Sequence, residues 1–158
     1  MRPYRRPLPP PAFRPHHGVP VLSTILGVTL GTALDIAMTS LVNRGYAVAG
    51  YNNNAIFINN VNQLSLFWPN ATMFYDGGAL VGSEFVYSTP YYDMQRYNDA
   101  YYRLTNAYGM PVSTSSLGGG GVSATWWGYN GQYVSLTFNA MNSIGGPLRY
   151  YTTLSFGN

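Results

Sequence analysis

Residues 90–111 carry the strongest local pattern in the chain and constrain the rest of the fold. Their apolar and aromatic residues recur at steps of three and four, which places them on one side of an α-helix; they are Met94, Tyr97, Tyr101, Leu104 and Tyr108. Asp93 stands where a capping carboxylate is expected, and Gly109 ends the helix. A helix that buries three tyrosines needs a broad apolar partner, so the sequence predicts a helix packed on a sheet.

A second, earlier helix is predicted over residues 32–44. Thr32 followed by Asp35 matches a capping-box pattern, and Gly45 comes where a helix stop is expected. The preceding residues 19–34 are uncharged, but glycine, serine and threonine are too frequent among them for a membrane span of about 20 apolar residues. We therefore expect a short strand at residues 21–26 and no transmembrane helix.

The other segments have the composition and spacing of β-strands. Strands are predicted at residues 46–51, 55–61, 64–68, 71–75, 80–88, 122–129, 132–140 and 148–156. Pro69 and Asn70 come between the third and fourth of these, which predicts a turn or bulge in an edge strand. The glycine- and serine-rich residues 111–121 predict a flexible loop.

The clearest hairpin signal is Asn130-Gly131, which predicts a two-residue turn. With that turn, Trp127 lies opposite Val134 on the buried side of the sheet. Trp126 then points to the opposite side, near Tyr133. With Tyr151 on the next strand, these residues predict an aromatic platform that suits a sugar ring or a partner protein. Aromatic cross-strand pairs also stabilise sheets without any ligand.

The order of elements predicts an α+β fold. We expect two helices packed on one face of an antiparallel sheet of about 6–8 strands, in a single domain over residues 21–158. The order also allows a tandem repeat of helix plus three or four strands, over residues 30–89 and 90–158.

Residues 1–20 read as a disordered Arg/Pro-rich arm. They hold seven of the eleven prolines, which prevents a helix or a strand ladder. We expect that a signal peptide has been removed ahead of this arm. Its arginines predict a tether or a peripheral contact with an anionic membrane surface, at about 1 kcal/mol each; they are Arg2, Arg5, Arg6 and Arg14.

Charge and cysteine content exclude several classes of site. Outside the arm, the chain has four arginines and five acidic residues, so this part lacks the basic face that nucleic-acid binding requires. The chain has no cysteine, which excludes a disulfide framework and a thiolate metal site. No nucleic acid, metal or cofactor is expected.

No motif for catalysis is present, and we expect a protein that is not an enzyme. Glu84 is the one acid inside a predicted strand and is expected to face outward beside an inward Phe85 or Val86. A Ser-His pair would have to recruit His16 or His17 from the arm, where pre-positioning is poor.

Two stretches resemble small secreted or periplasmic proteins of unknown function from Gram-negative bacteria. They are residues 26–32 (LGVTLGT) with 41–46 (LVNRGY), and residues 101–104 (YYRL) with 108–111 (YGMP). The tandem helix-plus-sheet plan is similar to the β-lactamase-inhibitor-protein-like fold and to small outer-membrane assembly lipoproteins, although the acylated cysteine of the latter is missing. The resemblance implies a periplasmic or cell-surface location and a binding role.

Together these observations predict a non-enzymatic extracytoplasmic binding or structural module. Its open sheet face is expected to contact another macromolecule, either an envelope protein or a glycan. Carbohydrate binding at Trp126 and Tyr133 is the alternative, and nucleic-acid binding is the least supported class.

Overall fold

A computed structural model describes residues 4, 6–8, 23–142 and 145–158. These residues form two α-helices, α1 (Leu34–Asn43) and α2 (Gln95–Tyr108). They also form ten strands: β1 (Thr24–Ile25), β2 (Val28–Thr29), β3 (Ala47–Asn52), β4 (Ala55–Gln63), β5 (Leu66–Asp76), β6 (Ala79–Thr89), β7 (Ser113–Leu117), β8 (Gly121–Trp127), β9 (Tyr133–Asn142) and β10 (Leu148–Gly157). The predicted α+β class is confirmed.

Strands β3 to β10 form one antiparallel sheet in the order β3-β4-β5-β6-β10-β9-β8-β7. Each helix is followed along the chain by four strands that pair in sequence, so the sheet consists of two meanders, β3–β6 and β7–β10. The last strands of the two meanders, β6 and β10, pair with each other in the middle of the sheet. Strands β1 and β2 form a separate small hairpin.

Both helices pack on the same face of the large sheet. On α2, the ring of Tyr97 lies 6.5 Å from that of Phe138, and Tyr101 lies 5.8 Å from Trp126. On α1, Ala37 and Leu41 are fully buried in the same apolar cluster. The predicted burial of the three α2 tyrosines is confirmed for Tyr97, whereas Tyr101 and Tyr108 are only partly buried against that cluster.

The N-terminal capping residue predicted from the sequence is correct for α2 and wrong for α1. The Oδ1 atom of Asp93 accepts a hydrogen bond from the backbone N–H of Gln95 at 2.8 Å, and Gly109 ends α2 with φ +82°. The predicted capping box of α1 is wrong. Its Thr32 hydroxyl donates instead to the carbonyl of Thr29 at 2.6 Å, and the helix begins at Leu34 without a side-chain cap.

The segment before α1 forms the β1–β2 hairpin, whose side chains Ile25 and Val28 are buried. Of the strand expected at residues 21–26, positions 21 and 22 lie outside the described residues. Within the described ranges, neither helix is long and apolar enough to cross a membrane.

The prediction of an edge strand around Pro69 is wrong. Strand β5 is continuous and lies between β4 and β6. Pro69 is tolerated there because the β5–β6 register ends at Asn70 and Val86, so its missing N–H is not required. Opposite Pro69 on β4, Asn60 has φ +55° and interrupts the β4–β5 register.

Arg96 of α2 contacts the first residues of β5, which are not paired with β6. Its guanidinium donates to the carbonyl of Phe67 and lies 4.4 Å from the ring centre of Tyr87 and 5.7 Å from that of Trp68. The arginine therefore joins α2 to the first meander, although the rest of the helix packs on the second.

Arg96→Ala is expected to lower the free energy of unfolding by about 1–3 kcal/mol, because a charged hydrogen bond and two cation–π contacts are lost. Arg103→Ala is the matched control, since Arg103 is exposed on the same helix and its loss should cost less than about 0.5 kcal/mol. Urea unfolding followed by circular dichroism measures both. Equal effects of the two substitutions would contradict a linking role for Arg96.

Two predictions about the second meander are also wrong. Part of the loop expected at residues 111–121 is the edge strand β7, which pairs with β8 over all five residues. The β8–β9 hairpin has a turn longer than two residues, with a 3₁₀ segment at Tyr129–Gly131. Trp126 therefore lies opposite Val134, and Trp127 lies opposite Tyr133. This one-residue shift reverses the side of the sheet to which each tryptophan points.

Candidate binding surface

We call the face of the large sheet opposite the helices the open face. Neither of the described helices covers it. Alternation along each strand assigns its residues, because Ile58, Phe85, Leu136 and Leu154 belong to the helix-side core and their neighbours point the other way. On β5, β6, β10, β9 and β8 the open face carries Asn70, Thr72, Phe74, Gly82, Glu84, Val86, Ser88, Arg149, Tyr151, Thr153, Ser155, Gly157, Tyr133, Ser135, Thr137, Asn139, Met141, Ser123, Thr125 and Trp127.

The centre of the open face is a band of hydroxyl side chains. Two adjacent cross-strand rows form this hydroxyl band: Thr125, Ser135 and Ser155 in one, and Ser123, Thr137 and Thr153 in the other. Hydroxyl pairs meet across the strands at 3.5 Å in the first row and 3.4 Å in the second. Glu84 continues the first row on β6 and is partly buried, pointing away from buried Phe85 as predicted.

At one end of the band lies a depression whose floor is backbone. Gly82 of β6 and Gly157 of β10 are direct neighbours, and the large side chains of Phe74 and Tyr133 stand on either side of them in the same row. A Cβ atom at Gly82 would lie 2.7 Å from the carbonyl oxygen of Phe156, and one at Gly157 would lie 2.8 Å from the Tyr133 ring. We call this site, formed by Gly82, Gly157, Phe74 and Tyr133, the glycine pocket.

The glycine pocket holds the ring of Tyr4 from the predicted arm. This ring lies 5.4 Å from that of Phe74, and the Tyr4 hydroxyl accepts a hydrogen bond of 3.0 Å from Tyr133. A Cβ atom added at Gly82 or Gly157 would collide with the Tyr4 side chain. Both glycines are therefore needed for the seating of this ring.

Burial dominates the electrostatics of the pocket. It raises the pKa of Tyr4, an effect that the hydrogen bond from Tyr133 and the charge of Arg6 partly offset. Burial also raises the pKa of Tyr133 far above its usual value, and the hydrogen bond that Tyr133 donates to Tyr4 raises it further. A tyrosine hydroxyl ordinarily ionises near pH 10, so both hydroxyls are neutral at physiological pH.

Arg6 makes a second contact between the arm and the sheet, at the β8–β9 turn. Its guanidinium packs against Gly131, in the β8–β9 turn, where a Cβ atom would overlap it. Leu8 is 82% exposed. The other arginines of the predicted tether, Arg2, Arg5 and Arg14, lie outside the described residues.

Trp127 extends the aromatic row beside Tyr133, with their ring centres 6.0 Å apart. Its side chain is 2% exposed, and its Nε1–H has no acceptor among the described residues. A buried donor without an acceptor costs about 1–3 kcal/mol.

The structure does not assemble the predicted aromatic platform. Trp126 is 1% exposed and lies under α2, where its Nε1–H donates to the carbonyl of Gly109 at 2.8 Å, so its placement on the open side is wrong. Tyr133 is on the open face but is buried beside Tyr4. Tyr151 is on the open face and partly exposed.

Sequence reasoning missed the residues that form the glycine pocket. A glycine inside a strand pattern signals close approach of another group, and Gly82 and Gly157 both have that position. Only the β6–β10 pairing shows that the two glycines belong to one site.

Within residues 4, 6–8, 23–142 and 145–158, no cluster of three or more His, Asp or Glu side chains could hold a metal ion. Comparison with protein-family models, with curated proteins and with solved structures gave no match. The similarity to the two folds named above therefore stays a prediction.

Proposed function

We propose that this protein is a non-enzymatic binding module that acts outside the cytoplasm and contacts another protein through its open face. The observation that carries this proposal is the glycine pocket, a preformed site on that face that accepts an aromatic side chain from a chain segment beyond the sheet. Binding in a preformed site requires little reorganisation of the sheet.

The charge of the open face favours a protein partner over a nucleic acid. Glu84 lies near its centre, and the guanidinium of Arg149 is engaged with Ser88, donating to its hydroxyl at 3.1 and 3.2 Å. Phosphate backbones are bound by clusters of arginine and lysine. Neutral hydroxyl groups beside a buried aromatic pocket are suited to the polar and apolar groups of a peptide.

The glycan alternative has less support from the positions of the aromatic rings. Sugar rings bind on exposed aromatic faces, whereas Trp126 and Tyr133 are buried. Tyr151 is the remaining ring of the three. The proposed location in the periplasm or at the cell surface follows from the low charge and from the resemblance; contact of the arm arginines with an anionic membrane is a further part of this proposal.

The absence of cysteine allows a direct test with single thiols. Thr153→Cys, carrying a photo-crosslinker, is expected to form discrete adducts in cells that make the protein, because Thr153 lies in the hydroxyl band. Asn106→Cys is the control, since Asn106 is exposed on the outer side of α2. Gel electrophoresis and mass spectrometry measure the adducts.

Adducts that require Thr153→Cys and are degraded by protease support the proposal. Adducts removed by glycan-cleaving enzymes would instead establish carbohydrate binding, and nuclease-sensitive adducts would establish nucleic-acid binding. The same adducts from both positions would mean that the open face is not the binding surface.

A further inference from the structure

We propose that the glycine pocket recognises a tyrosine or phenylalanine on an extended segment of the partner protein, flanked by arginine and proline, and that Tyr4 is an intramolecular ligand that competes for it. This inference rests on the proposed function and adds the chemistry of the ligand. It also gives the N-terminal arm a role on the sheet itself.

The shape of the pocket selects a flat ring. Two neighbouring glycines leave the sheet backbone bare over a width of two strands, about 5 Å apart. Phe74 and Tyr133 form the walls, so a ring placed between them contacts apolar surface on three sides. An aliphatic side chain would leave part of this space unfilled, which costs contact energy.

Tyr4 and Arg6 define the spacing of the ligand. In an extended segment, residues two apart point to the same side. The ring of Tyr4 enters the pocket, while the guanidinium of Arg6 reaches Gly131 in the β8–β9 turn. In the sequence, Pro3 and Pro7 flank the pair, and proline favours an extended backbone. The preferred ligand is therefore an aromatic residue followed two positions later by arginine.

Tyr4 can be displaced from the pocket because it is held by few contacts. Its contacts in the pocket are one ring and one hydroxyl–hydroxyl hydrogen bond, and Leu8 beyond them is exposed. With Tyr4 in place, the Nε1–H of Trp127 still has no acceptor in the described part of the chain. A partner segment that offers a carbonyl to this donor would bind better than the arm.

The test uses the full chain with Tyr4→Ala, which empties the pocket, and a fluorescent peptide of residues 2–8 (RPYRRPL). Fluorescence anisotropy should show saturable binding to this variant. Replacing the peptide's tyrosine by alanine should weaken binding about tenfold to a hundredfold, since one aromatic side chain is no longer buried. The wild-type chain should bind the peptide at least about tenfold more weakly, because its own arm is present at an effective concentration near millimolar.

A double-substitution comparison identifies the pocket as the site. Tyr133→Phe should weaken binding of the tyrosine peptide about threefold to tenfold, through loss of one hydrogen bond. It should not change binding of the same peptide with phenylalanine at that position. Asn106→Ala is the control and should leave the binding of both peptides unchanged, since Asn106 is exposed on the outer side of α2, away from the open face.

Equal binding of the tyrosine and alanine peptides, or no gain in Tyr4→Ala over the wild-type chain, would overturn this proposal. A dimer seen by light scattering that dissociates on Tyr4→Ala would assign the pocket to the arm of a second copy, and would also overturn it. Crosslinks from Thr153→Cys do not depend on the peptide, so the proposed function can hold when this inference fails.

Discussion

Trp126→Ala is expected to lower the free energy of unfolding by about 3–5 kcal/mol, the range for truncating a large buried aromatic residue. Trp126 is 1% exposed and packs against Tyr101 of α2. Its Nε1–H also satisfies the carbonyl of Gly109 at the end of that helix. The substitution therefore leaves a cavity under α2 and removes a bond that fixes the end of the helix.

Urea unfolding followed by circular dichroism measures this loss, with Tyr129→Ala as the matched control. Tyr129 is 51% exposed in the turn of the same hairpin, and its replacement should change the free energy of unfolding by less than about 0.5 kcal/mol. If Trp126→Ala costs no more than the control, Trp126 is a surface residue and the β8–β9 register that pairs it with Val134 is incorrect.

Raising the pH from 10 to 12 is expected to destabilise the fold by several kcal/mol. Burial raises the pKa of Tyr75 to about 12, and it also raises the pKa of Tyr97, Tyr108 and Tyr133. The unfolded chain loses these protons near pH 10, whereas the folded chain retains them. The stabilisation is thus complete below pH 10 and is lost as the pH rises towards 12; Tyr75 alone accounts for about 2–3 kcal/mol.

Urea titrations at a series of pH values, with tyrosinate absorbance at 295 nm, measure this effect. Tyr75→Phe is the informative variant, because the Tyr75 hydroxyl is buried without a partner among the described residues. The variant should be at least as stable as the wild-type chain at pH 8 and should lose less stability above pH 10. A free energy of unfolding that stays constant from pH 9 to 12 would contradict the burial of these hydroxyls.

The sequence was sufficient wherever a pattern is local. The periodic spacing of Tyr97, Tyr101 and Leu104 predicted α2, and Gly109 predicted its end, because helix periodicity and capping depend on residues within a few positions. The strands predicted at residues 46–51 and 55–61 correspond to β3 and β4 for the same reason, since strand composition is also a local signal.

The candidate site could not be predicted in the same way. Asn130-Gly131 indicated a two-residue turn, but β8 ends at Trp127 and β9 begins at Tyr133. The register of the two strands is displaced by one residue from the predicted pairing, which was enough to exchange the faces of Trp126 and Trp127. The glycine pocket depends on the β6–β10 register, and no local pattern specifies which residues face each other across so long a stretch of chain.

The pairing of β6 with β10 also determines the order in which parts of the molecule fold. Neighbouring strands inside each meander are close in sequence, so they can pair rapidly. The pairing of β6 with β10 is slower, because it requires the closure of a large loop. Gly82 and Gly157 come from opposite sides of that joint. A nascent or half-folded chain therefore has nowhere to dock Tyr4, and only the completed sheet can accept either the arm or a competitor for its place.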